Sequence, residues 1–333
     1  KKRKKKILKI EITNNNFIIV KVFFLFLISP FFLLSQEKFF FDSANPFSFK
    51  DIIVNLDNQK HQRVFGILKM PIDFNTQNQY PLVIAVAGSN GWASHHYDYL
   101  KTYRENGIAT FELCSFQSRG IKTTVGNQVS VTTAMMILDS FRALEALQNH
   151  PNIHADKIAI TGWSLGGGVS LFSAWEPLKK AINPSIDFAA HLALYPPCIV
   201  VPDVLEFGDT PIHILIGELD NWTPAEACLS LVSKLKNNTN IDITIYPNAH
   251  HSFDRDTLLS IKKNGYILED CRFRMNAKGE VLMNFLNFPM TTPLLQKIGL
   301  SMCARRGPTY GGNSVARVNA LSFSKNFMIE HLF

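Results

Sequence analysis

The chain has 333 residues, 46% of them hydrophobic, and a formal net charge of +7, enough to bury the core of one large α/β domain. The excess charge is local: residues 1–35 carry eight Lys or Arg against one Glu, which leaves 26 basic and 26 acidic residues for the rest. A body with no formal net charge excludes a nucleic-acid-sized electrostatic footprint.

The first 35 residues open on a basic cluster and continue into the apolar run Val22–Leu34. That run has the length of a signal-peptide core and is short for a membrane span. It is expected to be a signal peptide cleaved after Ser35, which makes the chain exported, periplasmic or secreted. The alternative is an uncleaved anchor over residues 17–34 that associates the protein with a membrane. Residues 36–333 are expected to form one catalytic domain. Its five cysteines are Cys114, Cys198, Cys228, Cys271 and Cys303. Pairing Cys198 with Cys228 and Cys271 with Cys303 closes the shortest loops, and no spacing matches a zinc-ligand pattern.

In chain order, a weak strand is expected at Asp51–Leu56, then strands at Gln62–Met70, Pro81–Ala87 and Gly107–Leu113. Val129–Asn149 carries the longest helical stripe. A strand at Lys157–Thr161 and a helix at Val169–Lys180 follow. Strands at Phe188–Tyr195, Pro211–Gly217 and Ile241–Tyr246 enclose a helix at Ala225–Lys236. Residues 255–313, rich in Asn, Gly, Pro and Met, read as irregular covering structure, and Ser314–His331 closes as a helix. Strands alternating with helices give an α/β fold with a mostly parallel central sheet and helices on both faces.

Between the strand at 157–161 and its helix stands Gly162-Trp163-Ser164-Leu165-Gly166, which fits the G-x-S-x-G pattern. Glycines are poor interior residues for either element. A tight strand-to-helix turn with Ser164 at its apex is the geometry of a nucleophile elbow. Gly166–Gly168 lack the Lys-Ser/Thr end of a P-loop, so a phosphate cradle is rejected. A serine hydroxyl needs a base to take its proton and a third group to orient that base. Acid and histidine belong on later loops, after sheet strands. The strand at 211–217 is followed by Glu218-Leu219-Asp220, and that at 241–246 by Pro247-Asn248-Ala249-His250-His251. Asp220 is also placed for a helix N-terminus before Pro224, with Glu218 as substitute acid, and one of the two adjacent histidines is a bystander. His95 and His96 hint at a metal pair only weakly; cleft-lining or solvated histidines fit as well.

Here the sequence resembles the dienelactone hydrolase family, from roughly residue 60 to 255. Gly217-Glu218-Leu219-Asp220 is similar to that family's G-x-x-D loop, and Tyr246-Pro247-Asn248-Ala249-His250-His251-Ser252-Phe253 to its Y-P-x-A-x-H-x-F segment. The resemblance implies the α/β-hydrolase fold and selects Asp220 over Glu218 and His251 over His250. Founding members use a cysteine nucleophile where Ser164 stands, which points away from dienelactone and toward general ester or acyl hydrolysis. The loop Ala87-Gly88-Ser89-Asn90-Gly91 lacks the His-Gly of related hydrolases, yet backbone N–H groups suffice for an oxyanion hole. The expected donors are Leu165 and Ser89. Ser115-Phe116-Gln117-Ser118-Arg119-Gly120 resembles an S-F-x-x-R-G loop of a family subgroup. Arg119 there either binds a substrate carboxylate or braces its own loop. Trp163 and Trp222 flank the nucleophile and the acid and are assigned to the substrate cleft, with core packing as the plainer reading.

The function that follows is a Ser164-His251-Asp220 serine hydrolase acting on a small-molecule ester or acyl substrate, with no metal or organic cofactor and no nucleic-acid partner. The alternatives are a serine peptidase of the prolyl-oligopeptidase type, a non-hydrolytic acyltransferase, and a silent α/β-hydrolase fold used as an envelope binding module.

Overall fold

An uninterrupted apolar run is expected of a strand covered on both faces. Tyr80–Val86 (β3) meets that expectation inside the sheet, with Leu82 through Val86 fully buried. A computed structural model of the chain describes residues 36–283 and 286–333. The expected leader, its cleavage after Ser35 and the anchor at 17–34 lie outside the described residues.

Eight strands form the central sheet. In spatial order they are β1 (Gln36–Ala44), β2 (His61–Lys69), β4 (Ala109–Leu113), β3, β5 (Ile153–Trp163), β6 (His191–Leu194), β8 (Ile212–Gly217) and β9 (Ile241–Tyr246). The pairings from β4 to β9 are all parallel, while β2 runs antiparallel to both β1 and β4. The helices are α1 (Phe49–Asn55), α2 (Ser94–Glu105), α3 (Thr133–Leu147), α4 (Leu165–Phe172), α5 (Glu176–Ile182), α6 (Ala225–Leu235), α7 (Pro293–Cys303) and α8 (Ser314–Leu332). Helix α3 packs on α4 and β1, α1 on α5, and α2 on α8. The carboxyl ends of β3, β5, β8 and β9 therefore deliver their following loops to one edge of the sheet, where an α/β sheet builds its site.

Four departures from the sequence-based expectation stand out. Asp51–Leu56 is not a strand; α1 occupies it, because Ser48 and Asp51 form a reciprocal capping box that starts a helix. The single helix expected over Val169–Lys180 is two, α4 and α5. Pro177 falls in the first turn of α5, where its missing N–H costs nothing, whereas inside one continuous helix it would remove a bond and clash. Strand β1 and helix α2 had no sequence-based counterpart.

The segment 255–313 is more ordered than irregular cover. Ser260–Ile261 pairs with Thr309–Tyr310, and Tyr266–Ile267 with Arg305–Arg306. Phe273–Met275 lies between Val281–Met283 and β7 (Val200–Pro202), so the cover is stitched to the segment after β6. Cys271 and Cys303 are disulfide-bonded across the cover with Cα atoms 5.1 Å apart. Cys198 and Cys228 join the chain after β6 to α6, with Cα atoms 4.9 Å apart. With sequence separations of 30 and 32, each bridge stabilises the fold by about 3–4 kcal/mol. Cys114 is a buried free thiol.

Candidate active site

Strand β5 ends at Trp163, and α4 begins at Leu165, so the chain turns within one residue. Ser164 makes that turn at φ 55°, ψ −116°, a conformation in which non-glycine residues are strained and which packing must enforce. The absence of a side chain at Gly166 permits the turn: a Cβ there would run into the Val86 carbonyl of β3. The loop after β3 also presses close, since a Cβ on Gly88 would stand 2.9 Å from the Trp163 carbonyl oxygen and 3.2 Å from Ser164 Cβ.

Ser164 Oγ lies 3.0 Å from His251 Nε2, and His251 Nδ1 lies 2.7 Å from Asp220 Oδ2. The turn after β8 holds the carboxylate. Backbone N–H groups of Trp222 and Thr223 donate to Asp220 Oδ1 at 2.9 and 2.8 Å, and Thr223 Oγ lies 3.0 Å from Oδ2. A carboxylate held by so many donors stays where its imidazole partner needs it. His251 is fixed from three sides. Trp222 lies over its ring at 4.8 Å, Tyr195 meets it edge-on at 4.8 Å, and Gly311 N–H of the cover donates to its carbonyl. His250 turns away to Thr309 Oγ at 2.9 Å, and Glu218 accepts from the Asn248 N–H at the surface.

Two backbone N–H groups beside this serine have no acceptor among the described residues. Leu165 opens α4 and has the unsatisfied N–H of any first helical residue. Ser89 accepts at its carbonyl from Thr124 N–H and Thr123 Oγ, which fixes its loop, but its own N–H donates to none of the described residues. Both residues line the cavity at Ser164.

Of the two sequence readings of Arg119, the structure shows the brace and not the substrate ligand. Its guanidinium donates to both oxygens of buried Asp139, to Asn45 Oδ1 and to the Ser115 and Ala44 carbonyls, at 2.7–3.1 Å. All five donors are used, and nothing remains for a substrate. Trp163 is fully buried against Trp92, His96 and Tyr99, yet one part of its surface lines the small cavity beside Ser164. Trp222 borders both cavities. His95 and His96 are buried with ring centroids 4.0 Å apart, and among the described residues no group of three or more His, Cys, Asp or Glu is arranged to hold a metal.

Two residues escaped the sequence reading. Thr223 sits three residues after Asp220, the spacing at which a hydroxyl folds back onto a carboxylate. Arg255 lines the small cavity with Ser164, His251 and Tyr310, and its Nε has no hydrogen-bond partner among the described residues. Its position on the loop after His251 was the available signal.

Behind His251, the Tyr195 hydroxyl donates to Asp254 Oδ1 at 2.9 Å. Burial pushes the Asp254 carboxyl up to about 6. Burial, together with His96 and Arg255, holds His95 far below the usual imidazole range, so it is neutral.

Comparison with curated proteins finds no match. The sequence profile of the dienelactone hydrolase family matches residues 102–269, just over half of the chain, a stretch that contains Ser164, Asp220 and His251. Among solved structures, the protein m3DLH is 13% identical with a TM-score of 0.55, over 90% of this chain and 100% of its own. A dienelactone hydrolase-like promiscuous phosphotriesterase from metagenomic libraries is 14% identical with a TM-score of 0.51, over 90% and 100%. A thermophilic esterase from the planctomycete Thermogutta terrifontis is 15% identical with a TM-score of 0.47, over 63% and 84%. The likeness to the first two shows the fold, an α/β-hydrolase fold with a mostly parallel sheet.

Proposed function

The chain belongs to the dienelactone hydrolase family, and we propose that within it the protein is a serine hydrolase that cleaves esters or related acyl compounds. The observation that carries this reading is the hydrogen-bonded series Ser164 Oγ, His251, Asp220, at 3.0 and 2.7 Å. His251 Nε2 takes the Ser164 proton as Oγ bonds to the acyl carbon. Asp220 fixes the imidazole with Nδ1 protonated and stabilises the imidazolium that forms. The free N–H groups of Leu165 and Ser89 are the donors for the developing oxyanion, and Arg255 adds positive charge from the small cavity that Ser89 also borders. As the bond to the leaving group breaks, His251 returns the proton to that group. Water activated by His251 then cleaves the acyl-enzyme and restores Ser164.

The two disulfides support an oxidising location, as expected of an exported protein. The test of the reaction is hydrolysis of p-nitrophenyl butyrate by the full chain. Ser164→Ala and His251→Ala are expected to lower kcat by about 10⁴-fold or more, and His250→Ala by less than threefold, roughly the effect of a side chain outside the relay. A folded wild-type protein with no turnover, or a Ser164→Ala protein that keeps it, contradicts the reading.

A further inference from the structure

Two cavities meet at Ser164, and their chemistry differs. The small one, of about 20 Å³, is bordered by His251, Arg255, Tyr310 and the 88–91 loop. The large one, of about 200 Å³, leaves Ser164 on the other side, and His251 is not among its walls. It runs past Leu165 and Phe172 toward the cover, where Phe273, Val281, Met290 and Leu300 close it. The Cys271–Cys303 bridge holds these two arms of the cover together.

The direction of proton transfer assigns the two sides. A general acid must reach the leaving-group atom, so the leaving group belongs beside His251. The acyl part then points away from His251, into the large cavity. Resting on the acyl-transfer reading of Ser164, we propose that this cavity is an acyl-binding site and that the substrates are esters of hydrophobic acids. A 150 Å³ apolar cavity holds benzene, so 200 Å³ takes an acyl group of about six to eight carbons, straight or aromatic. The cover thus sets acyl selectivity, while the sheet loops supply the chemistry. In the reaction, the acyl carbon bonds to Ser164 Oγ, the C–O bond to the alcohol breaks, and the serine proton leaves on that alcohol. Water then releases the free acid.

The experiment compares two ester series with the full chain. In p-nitrophenyl esters of lengthening acids, kcat/KM is expected to climb about three- to fourfold per methylene, or about 100-fold from acetyl to hexanoyl. It should stop rising beyond octanoyl. In acetate esters of lengthening alcohols it is expected to change less than about fivefold, since the small cavity, although walled by Trp163, Tyr195, Trp222 and Tyr310, has only about 20 Å³ for the alcohol. An acyl series that is flat, or an alcohol series that climbs instead, overturns the assignment. Filling the far end with Leu300→Trp, or with Val281→Phe should that variant not fold, is expected to lower the hexanoyl-to-acetyl preference at least about tenfold. An unchanged preference in a folded variant counts against the proposal. If the wild type hydrolyses no ester, the hydrolase reading fails separately. Calorimetry of octanoate against butyrate on the Ser164→Ala protein then decides the cavity: octanoate binding about tenfold tighter or more supports the site, and equal affinity refutes it.

Discussion

His251 and Asp220 meet at 2.7 Å, whereas His95 and Asp254, packed behind the same Tyr195, stand at 3.8 Å. Burial does not separate the pairs: in each, the histidine side chain is 2% exposed and the carboxylate 0%. The difference lies in what else the carboxylate touches. Asp220 takes two backbone N–H bonds and lies against the Thr223 hydroxyl, because the turn after β8 was folded around it. Asp254 has the Tyr195 hydroxyl at one oxygen, while its second oxygen and both His95 nitrogens have no partner among the described residues. A buried charge without donors gives up its charge, and its pKa moves to do so. The same two residue types thus make an oriented hydrogen-bonded pair in one place and a neutral imidazole beside a reluctant acid in the other.

Removing each carboxylate should separate the pairs most sharply. Asp220→Asn is expected to cost about 10⁴-fold in kcat by offering His251 the wrong partner for Nδ1–H. Asp254→Asn should cost less than about tenfold, a scale set by the absence of any contact with Ser164. Equal losses in ester hydrolysis would erase the distinction.

Next in size is an effect on stability. The folded protein raises Asp254 from its ordinary 3.8 to about 6, so the folded state binds this proton more tightly than the unfolded one. Its contribution is fully present below pH 3.8 and is lost as pH rises through 6, a swing of about 3 kcal/mol. Urea unfolding from pH 4 to 8 should show this decline in the wild type and lack it in Asp254→Asn. A parallel pH profile for the two proteins would contradict the account. The smallest effect belongs to Thr223→Val, which removes one hydroxyl from Asp220 at about 1 kcal/mol, or roughly five- to tenfold in kcat/KM. A loss as large as that of Asp220→Asn would mean that Thr223, not the backbone turn, positions the acid.

What the sequence made legible follows the same division between local and distant causes. The strand-turn-helix at Ser164, and the order of acid and histidine after β8 and β9, are local signals, and each lies where its spacing places it. Helix α1 was misread because Ile52, Ile53 and Val54 look like a strand, although Ser48 and Asp51 carried the capping signal. Arg119 was placed in a loop correctly, but its partner Asp139 sits on α3, twenty residues away, and no local pattern announces that pair. The cover escaped reading for the same reason. Its two-residue strands pair across 38 to 50 residues and have no periodicity of their own.

The proposed reaction stands or falls on Ser164 being the nucleophile. The direct measurement is labelling of the intact protein with a fluorophosphonate probe, with the modified peptide identified by mass spectrometry. A single adduct on Ser164 is expected, formed in the wild type and His250→Ala, abolished in Ser164→Ala and strongly slowed in His251→Ala. An adduct on another residue, or a folded wild-type protein that takes up no probe, would contradict it.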